Sequence, residues 1–199
     1  MRIVLASTSR YRRELIGRLG LEVESAAPAF DEEAAKKAHA WLPPEEVVAA
    51  LARGKAQSLG EAYPDALIIG SDQAAEVDGE LLGKPGTEEA ARAQLERLAG
   101  REHRLLTAVA MFEPRTGRLE EALDVHRLFV RALSSEAIAN YVRRDQPLDC
   151  AGAYRVESLG IALFDRLSGD DFTAIIGLPL TRVVALLERF GVRVLEGGG

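Results

Sequence analysis

The stretch that decides the fold is "RIVLASTSRYRREL", residues 2–15. A short apolar run stops at two serines and a threonine, and a leucine-bearing segment then resumes among arginines. The first part reads as a buried strand, and "YRRELIGRLG", residues 11–20, as a helix with Leu15 and Leu19 one turn apart and Gly20 closing it. A strand running into a Ser/Thr-rich turn and a helix gathers hydroxyls and helix N–H groups about one point, which is an anion site. Arg2, Arg10, Arg12 and Arg13 fall within residues 1–13 with no carboxylate among them, on a chain whose formal net charge is -6. Their planar donors suit phosphate oxygens. The competing reading is plain capping by "STSR" with the arginines on a solvated helix face.

Working outward, "LEVESAA" is the next strand and "FDEEAAKK" a polar loop. The stretch from Pro43 to Tyr63 is strongly helical, with proline and glutamate at its start. Val47, Leu51, Lys55 and Leu59 recur every four residues, so Lys55 stands on the apolar stripe. "ALIIGSD" is an apolar strand ending in Ser71 and Asp72, and "EVDGELLGKP" a hairpin about Asp78-Gly79, the favoured type I′ pair. A helix capped by Thr87 and stopped by Gly100 follows, then two β-rich segments about the turn "PRTG" and the helix "SSEAIANYVRR". "IALFD" and "FTAII" read as short strands, "LTRVVALLERFG" as the last helix and "EGGG" as a frayed end. Strands and helices interleave without a strict βαβ repeat, which predicts an α/β fold on a mixed sheet with flanking helices.

With 199 residues and 47% hydrophobic content, the chain reads as one globular domain, 1–199. Nothing in it resembles a membrane span or an export signal, so the expectation is a cytoplasmic protein. Cys150 has no second cysteine to pair with, and His39, His103 and His126 are too scattered for a zinc site. The acidic balance excludes broad binding to a nucleic-acid polymer while leaving room for a basic pocket. "GELLGKP" fails as a P-loop, because its glycines stand too close and Lys84 precedes proline.

The carboxylates narrow the chemistry. Asp72 ends an apolar strand, where side chains of open α/β sheets face the ligand crevice, and Asp31-Glu32 follows the second strand. Carboxylates from separate loops beside a phosphate suit Mg2+, which takes few protein ligands. Each alone is equally a turn or capping carboxylate. Lys55 and Lys84, read alone, are equally lysines that reach for water.

Taken in order, "LASTSRYRREL", "DEE" at 31–33, "KAQSL", "IIGSDQ", "LLGKP", "GREHRLLT", "CAGAYRVESLG" and "IIGLPL" resemble the successive motifs of the Maf-like nucleoside triphosphate pyrophosphatases. The resemblance implies an elongated fold of the inosine triphosphatase type with two lobes around a central cleft. It also implies divalent-metal-dependent cleavage between the α- and β-phosphates, with Mg2+ (or Mn2+) held by Asp72 and Glu32. Asp72 would be general base or metal ligand aided by Glu32, and Ser7, Arg12, Arg13, Lys55 and Lys84 would hold phosphates. Tyr11, Gln73 and Glu157 are similar to the branch acting on 7-methyl-GTP, where the dTTP/UTP branch carries Pro-Arg-Arg, Thr and Gln. Here Tyr11 stands for an expected tryptophan and Arg10 for a proline. An aromatic ring gains roughly 0.5–2 kcal/mol of cation–π attraction from a methylated, cationic guanine. A carboxylate such as Glu157 can accept from the guanine N1–H and N2–H₂ edge. The alternatives are a dTTP/UTP pyrophosphatase and a non-catalytic nucleotide-binding regulator linked to septum formation; a homodimer is the default assembly.

Overall fold

The computed structural model describes residues 1–196; the last three glycines, part of the stretch read as a frayed end, lie outside the described residues. Fourteen helices and strands follow the chain as β1 (Arg2–Ala6), α1 (Arg10–Gly17), β2 (Val23–Ala26), α2 (Glu32–Ala38), α3 (Pro44–Gln57), β3 (Ala66–Val77) and β4 (Glu80–Leu82), then α4 (Glu88–Leu98), β5 (Glu102–Glu113), β6 (Arg118–Val130), α5 (Ser135–Asp145), β7 (Phe164–Ser168), α6 (Phe172–Ile176) and α7 (Leu180–Arg189). The strands form one seven-stranded sheet ordered β2-β1-β3-β5-β6-β7, with β4 paired to β3. β1 runs parallel to β2 and β3, whereas β4 and β7 pair antiparallel, so the sheet is mixed as the element order predicts. Among the described residues no helix is long and apolar enough to cross a membrane.

The chain divides into two compact units: residues 1–72, 107–124 and 171–196 form the first, and residues 73–106 and 125–170 the second. In the first unit, strand alternation sorts the core. Ile3 and Leu5 of β1 and Leu67 and Ile69 of β3 face one way, into a cluster with Leu15 and Ile16 of α1 and Val183, Leu186 and Leu187 of α7. Val4 and Ile68, one step along, are buried on the opposite face. There α3 lies against β3 so closely that a Cβ on Gly70 would overlap the carbonyl oxygen of Ala52 and the backbone nitrogen of Ala56. Glycine is required at that point for backbone-to-backbone approach.

The second unit packs α4 against α5. Behind them His103, Tyr154 and Phe164 form an aromatic group, with Tyr154 and Phe164 edge-on at 5.0 Å between centroids. The β3–β4 hairpin turns at Asp78 and Gly79, both at positive φ (56° and 80°), as a type I′ turn requires.

Three sequence expectations are corrected. "FTAII" is helix α6 rather than a strand: Asp171 caps it by accepting from the Thr173 N–H at 2.9 Å, and local capping overrides the β preference of Thr and Ile. "FDEEAAKK" is helix α2 rather than a loop, capped by Asp31, with Glu32 and Glu33 in its first turn and Lys36 and Lys37 in its last. "IALFD" begins in a 3-10 turn, Leu159–Leu163, and the strand starts only at Phe164.

Candidate active site

In the first unit the site begins where β1 ends. Ser7 is buried, and its Oγ accepts from the Ser9 N–H at 3.1 Å. Ser9 occupies the N-cap of α1 but makes no side-chain capping bond, and no carboxylate lies in the first turn. The helix end is therefore left without the internal anion that plain capping would supply. Arg12, partly buried, donates from Nε to the Gly177 carbonyl at 3.0 Å. Burial lowers its pKa, and the negative charges of Asp72 and Glu32 act in the opposite direction. Arg13 is exposed. Tyr11 is half-buried, with the Arg10 guanidinium carbon 5.0 Å from its ring centroid.

The same alternation that sorts the core aims the end of β3. Ser71 turns toward α6, its hydroxyl 3.4 Å from the Gly177 carbonyl that Arg12 also meets. Asp72 turns to the α3 face, where Lys55 waits on the helical stripe with Leu51 and Ala52. Lys55 Nζ lies 2.6 Å from Asp72 Oδ1 and 2.7 Å from Glu32 Oε2. Only 7% of Lys55 and 5% of Asp72 is exposed, so this lysine does not reach for water. Glu32 is brought in by α2, whose approach is fixed by Phe30: a Cβ on Gly54 of α3 would overlap the Phe30 ring. Partial burial works against a charged Glu32, but hydrogen bonds from Lys55 and Lys36 outweigh it and hold the carboxyl at about 2. Three residues from separate elements, the buried Lys55 and Asp72 and the half-buried Glu32, thus meet in one ion cluster.

In the second unit Gln73 is half-buried, while Lys84 and Glu157 are exposed. The loop bearing Glu157 is fastened from behind. The Arg155 N–H donates to the Tyr141 hydroxyl at 3.0 Å, and the Ser158 hydroxyl meets both oxygens of Asp145 at 2.8 Å. Gly152 and Ala153 take positive φ (72° and 60°) at its base. Ala153 is a non-glycine residue in a sparsely populated region, held there by a buried setting. Desolvation of the Glu157 carboxyl, with Asp145 and Asp149 adding negative charge, raises its pKa against the pull of Arg155.

A family model described as "Maf-like protein" matches residues 2–190. The chain belongs to the Maf family. A relative named 7-methyl-GTP pyrophosphatase from Syntrophotalea carbinolica is 46% identical over 194 residues, covering 97% of this chain and 96% of its own. Proteins of the same name from Xanthomonas campestris pv. campestris and Chromohalobacter salexigens are also 46% identical, over 193 and 191 residues. Each alignment covers 96% of this chain, with 96% and 97% of the respective relatives.

The structure of this Maf protein also brings to the site two residues that the sequence analysis does not single out. Lys36 joins the cluster by bonding Glu32 at 2.9 Å. Asp171, buried, accepts from the backbone and hydroxyl of both Thr173 and Thr181 and so clasps the turn that presents the Gly177 carbonyl to Arg12. An Asp before an apolar run is a helix-start signal, and it marks Asp171 in the sequence. Lys36 carries a signal too, as the i+4 partner of Glu32 once α2 is recognised as a helix. As metal donors, Asp72 and Glu32 are a pair only: among the described residues no group of three or more His, Cys, Asp or Glu could hold an ion.

Proposed function

We propose that this Maf protein is a nucleoside triphosphate pyrophosphatase that hydrolyses 7-methyl-GTP between the α- and β-phosphates, giving 7-methyl-GMP and pyrophosphate. The observation that carries the reading is the Glu32–Lys55–Asp72 ion cluster, in which Lys55 and Asp72 are buried. Ionisable groups from three separate elements, two of them buried, converge at one point as functional sites arrange them, and a solvated surface would not require it. The choice of base is supported by the name shared by relatives at 46% identity over nearly the whole chain.

In this reading Asp72 accepts the proton of the water that attacks the α-phosphorus while pyrophosphate leaves. Ser7, Arg12 and the uncapped start of α1 cradle phosphate oxygens, and the exposed Arg13 and Lys84 add mobile positive charge. Two carboxylates and phosphate oxygens, with water completing the shell, fit Mg2+ or Mn2+, and three protein carboxylates are not required. A bound dication would neutralise charge developing on the phosphates. The side-chain types suited to a cationic guanine are an aromatic ring such as that of Tyr11 and hydrogen-bonding groups such as those of Gln73 and Glu157.

Purified protein with Mg2+ and 7-methyl-GTP should release pyrophosphate and the monophosphate in equal amounts, resolved by ion-exchange chromatography. Release of orthophosphate and diphosphate instead would overturn the bond assignment. A faster reaction on dTTP or UTP than on 7-methyl-GTP would overturn the base.

A further inference from the structure

We propose that Lys55 is the resident counter-ion of the two-carboxylate site, an internal cation that keeps free divalent metal out until a nucleotide arrives. The proposal rests on the reading that Asp72 and Glu32 are the metal's carboxylates.

Position is the first argument. The Lys55 ammonium lies 2.6 Å from Asp72 Oδ1 and 2.7 Å from Glu32 Oε2, so it fills the place between the two oxygens. A magnesium ion shared by those oxygens would need about 2.0–2.1 Å to each, which puts it on nearly the same point. Two cations cannot share that point, so metal entry requires the ammonium to leave.

The second argument is tethering. Lys55 is 7% exposed and stands on the buried stripe of α3 beside Leu51, Ala52 and Ala56. The helix in turn rests on β3 at Gly70, backbone to backbone. A competitor fixed within the same fold acts at an effective concentration on the order of millimolar or more. Dilution does not remove it.

Charge is the third. Asp72 and Glu32 are balanced by Lys55 and Lys36, and Arg12 also acts on both carboxylates. With Glu33 also holding Lys36 at 3.2 Å, three carboxylates face three cations and the assembled group is neutral. It does not attract a bare dication, whereas a metal–triphosphate complex arrives with net negative charge. The triphosphate also brings the one thing the ammonium needs to move, an alternative set of anionic oxygens. Lys55 is thus both the guard of the carboxylates and, once displaced, a phosphate ligand.

The test titrates Mn2+ alone into the whole protein, without nucleotide, and follows free Mn2+ by its electron paramagnetic resonance signal. Wild type should bind weakly. Lys55→Met, which keeps the stem and removes the charge, should bind about ten-fold tighter or more, and Lys55→Arg no tighter than wild type. Lys36→Met removes a half-exposed cation from Glu32 and should gain roughly three-fold. Lys55→Met binding Mn2+ no tighter than wild type, in protein with an unchanged circular dichroism spectrum, overturns the proposal. If Lys55→Met does not fold, Lys36→Met decides, and unchanged affinity there overturns it. Pyrophosphate release by wild type is scored separately. A gain in Mn2+ affinity without turnover defeats the functional reading and leaves the counter-ion standing; turnover without the gain does the reverse.

Discussion

The two units handle their polar groups in opposite ways. In the first, Lys55 and Asp72 are withdrawn from water and paired with each other. In the second, Lys84 and Glu157 stay exposed, and what is buried is the frame behind them: His103, Tyr141 and Tyr154. The difference separates two tasks. Under the proposed function, Lys55 and Asp72 are preset by burial, so their geometry would cost little to assemble during reaction. Glu157, proposed to read the base, sits on a loop anchored from behind and stays open to water.

The contrast can be attacked from its strongest side first. Asp72→Asn keeps shape and removes the proton acceptor, so kcat should fall by roughly 10²–10⁴ for every triphosphate, with nucleotide binding retained in a filter assay. Undiminished turnover would remove Asp72 from its role and with it the claim that the first unit carries the chemistry.

The next effect belongs to the frame of the second unit. His103 is 3% exposed and its Nε2 lies 3.0 Å from the Tyr154 hydroxyl, while Nδ1 has no hydrogen-bond partner. Burial holds its pKa at about 4 against a usual 6.5, with Glu76 and Glu102 opposing. A folded-state pKa below the unfolded one means that the unfolded chain binds the proton first. Stability should therefore be intact above pH 6.5 and fall as the pH drops from 6.5 to 4. The loss should reach up to about 3 kcal/mol, as urea titrations would measure. His103→Gln should flatten that part of the profile; an unaltered slope would assign the acid sensitivity elsewhere.

The smallest effect is the most selective. Glu157→Gln should cost about 1–3 kcal/mol in kcat/KM for 7-methyl-GTP, roughly 5- to 150-fold, and much less for dTTP. Equal losses on both substrates would erase the distinction between acting and reading groups.

How much of this the sequence discloses depends on how local each signal is. The strand–turn–helix of residues 2–15, the I′ turn at Asp78-Gly79 and the Thr87 cap of α4 are set by near neighbours, and they stand where the sequence places them. Lys55 is legible as an oddity, a charge on an apolar stripe. Its partners are not, because Glu32 and Asp72 come from α2 and β3 and meet it only through tertiary packing. α2 escapes notice for a related reason: none of its residues is buried, so it has no apolar period to read, only caps and charge order. In α6 the fault runs the other way, since Thr and Ile invite a strand and the deciding residue, Asp171, lies one position outside the run.

Gly70 sets a mechanical tolerance for the whole site. Because α3 meets β3 through main chain at this position, the close spacing between the bearer of Lys55 and the bearer of Asp72 depends on glycine here. A single methyl group at position 70 would wedge helix from strand and spread the ion pair without altering one charge. The fold thus stakes the alignment of its ion pair on the absence of one carbon atom.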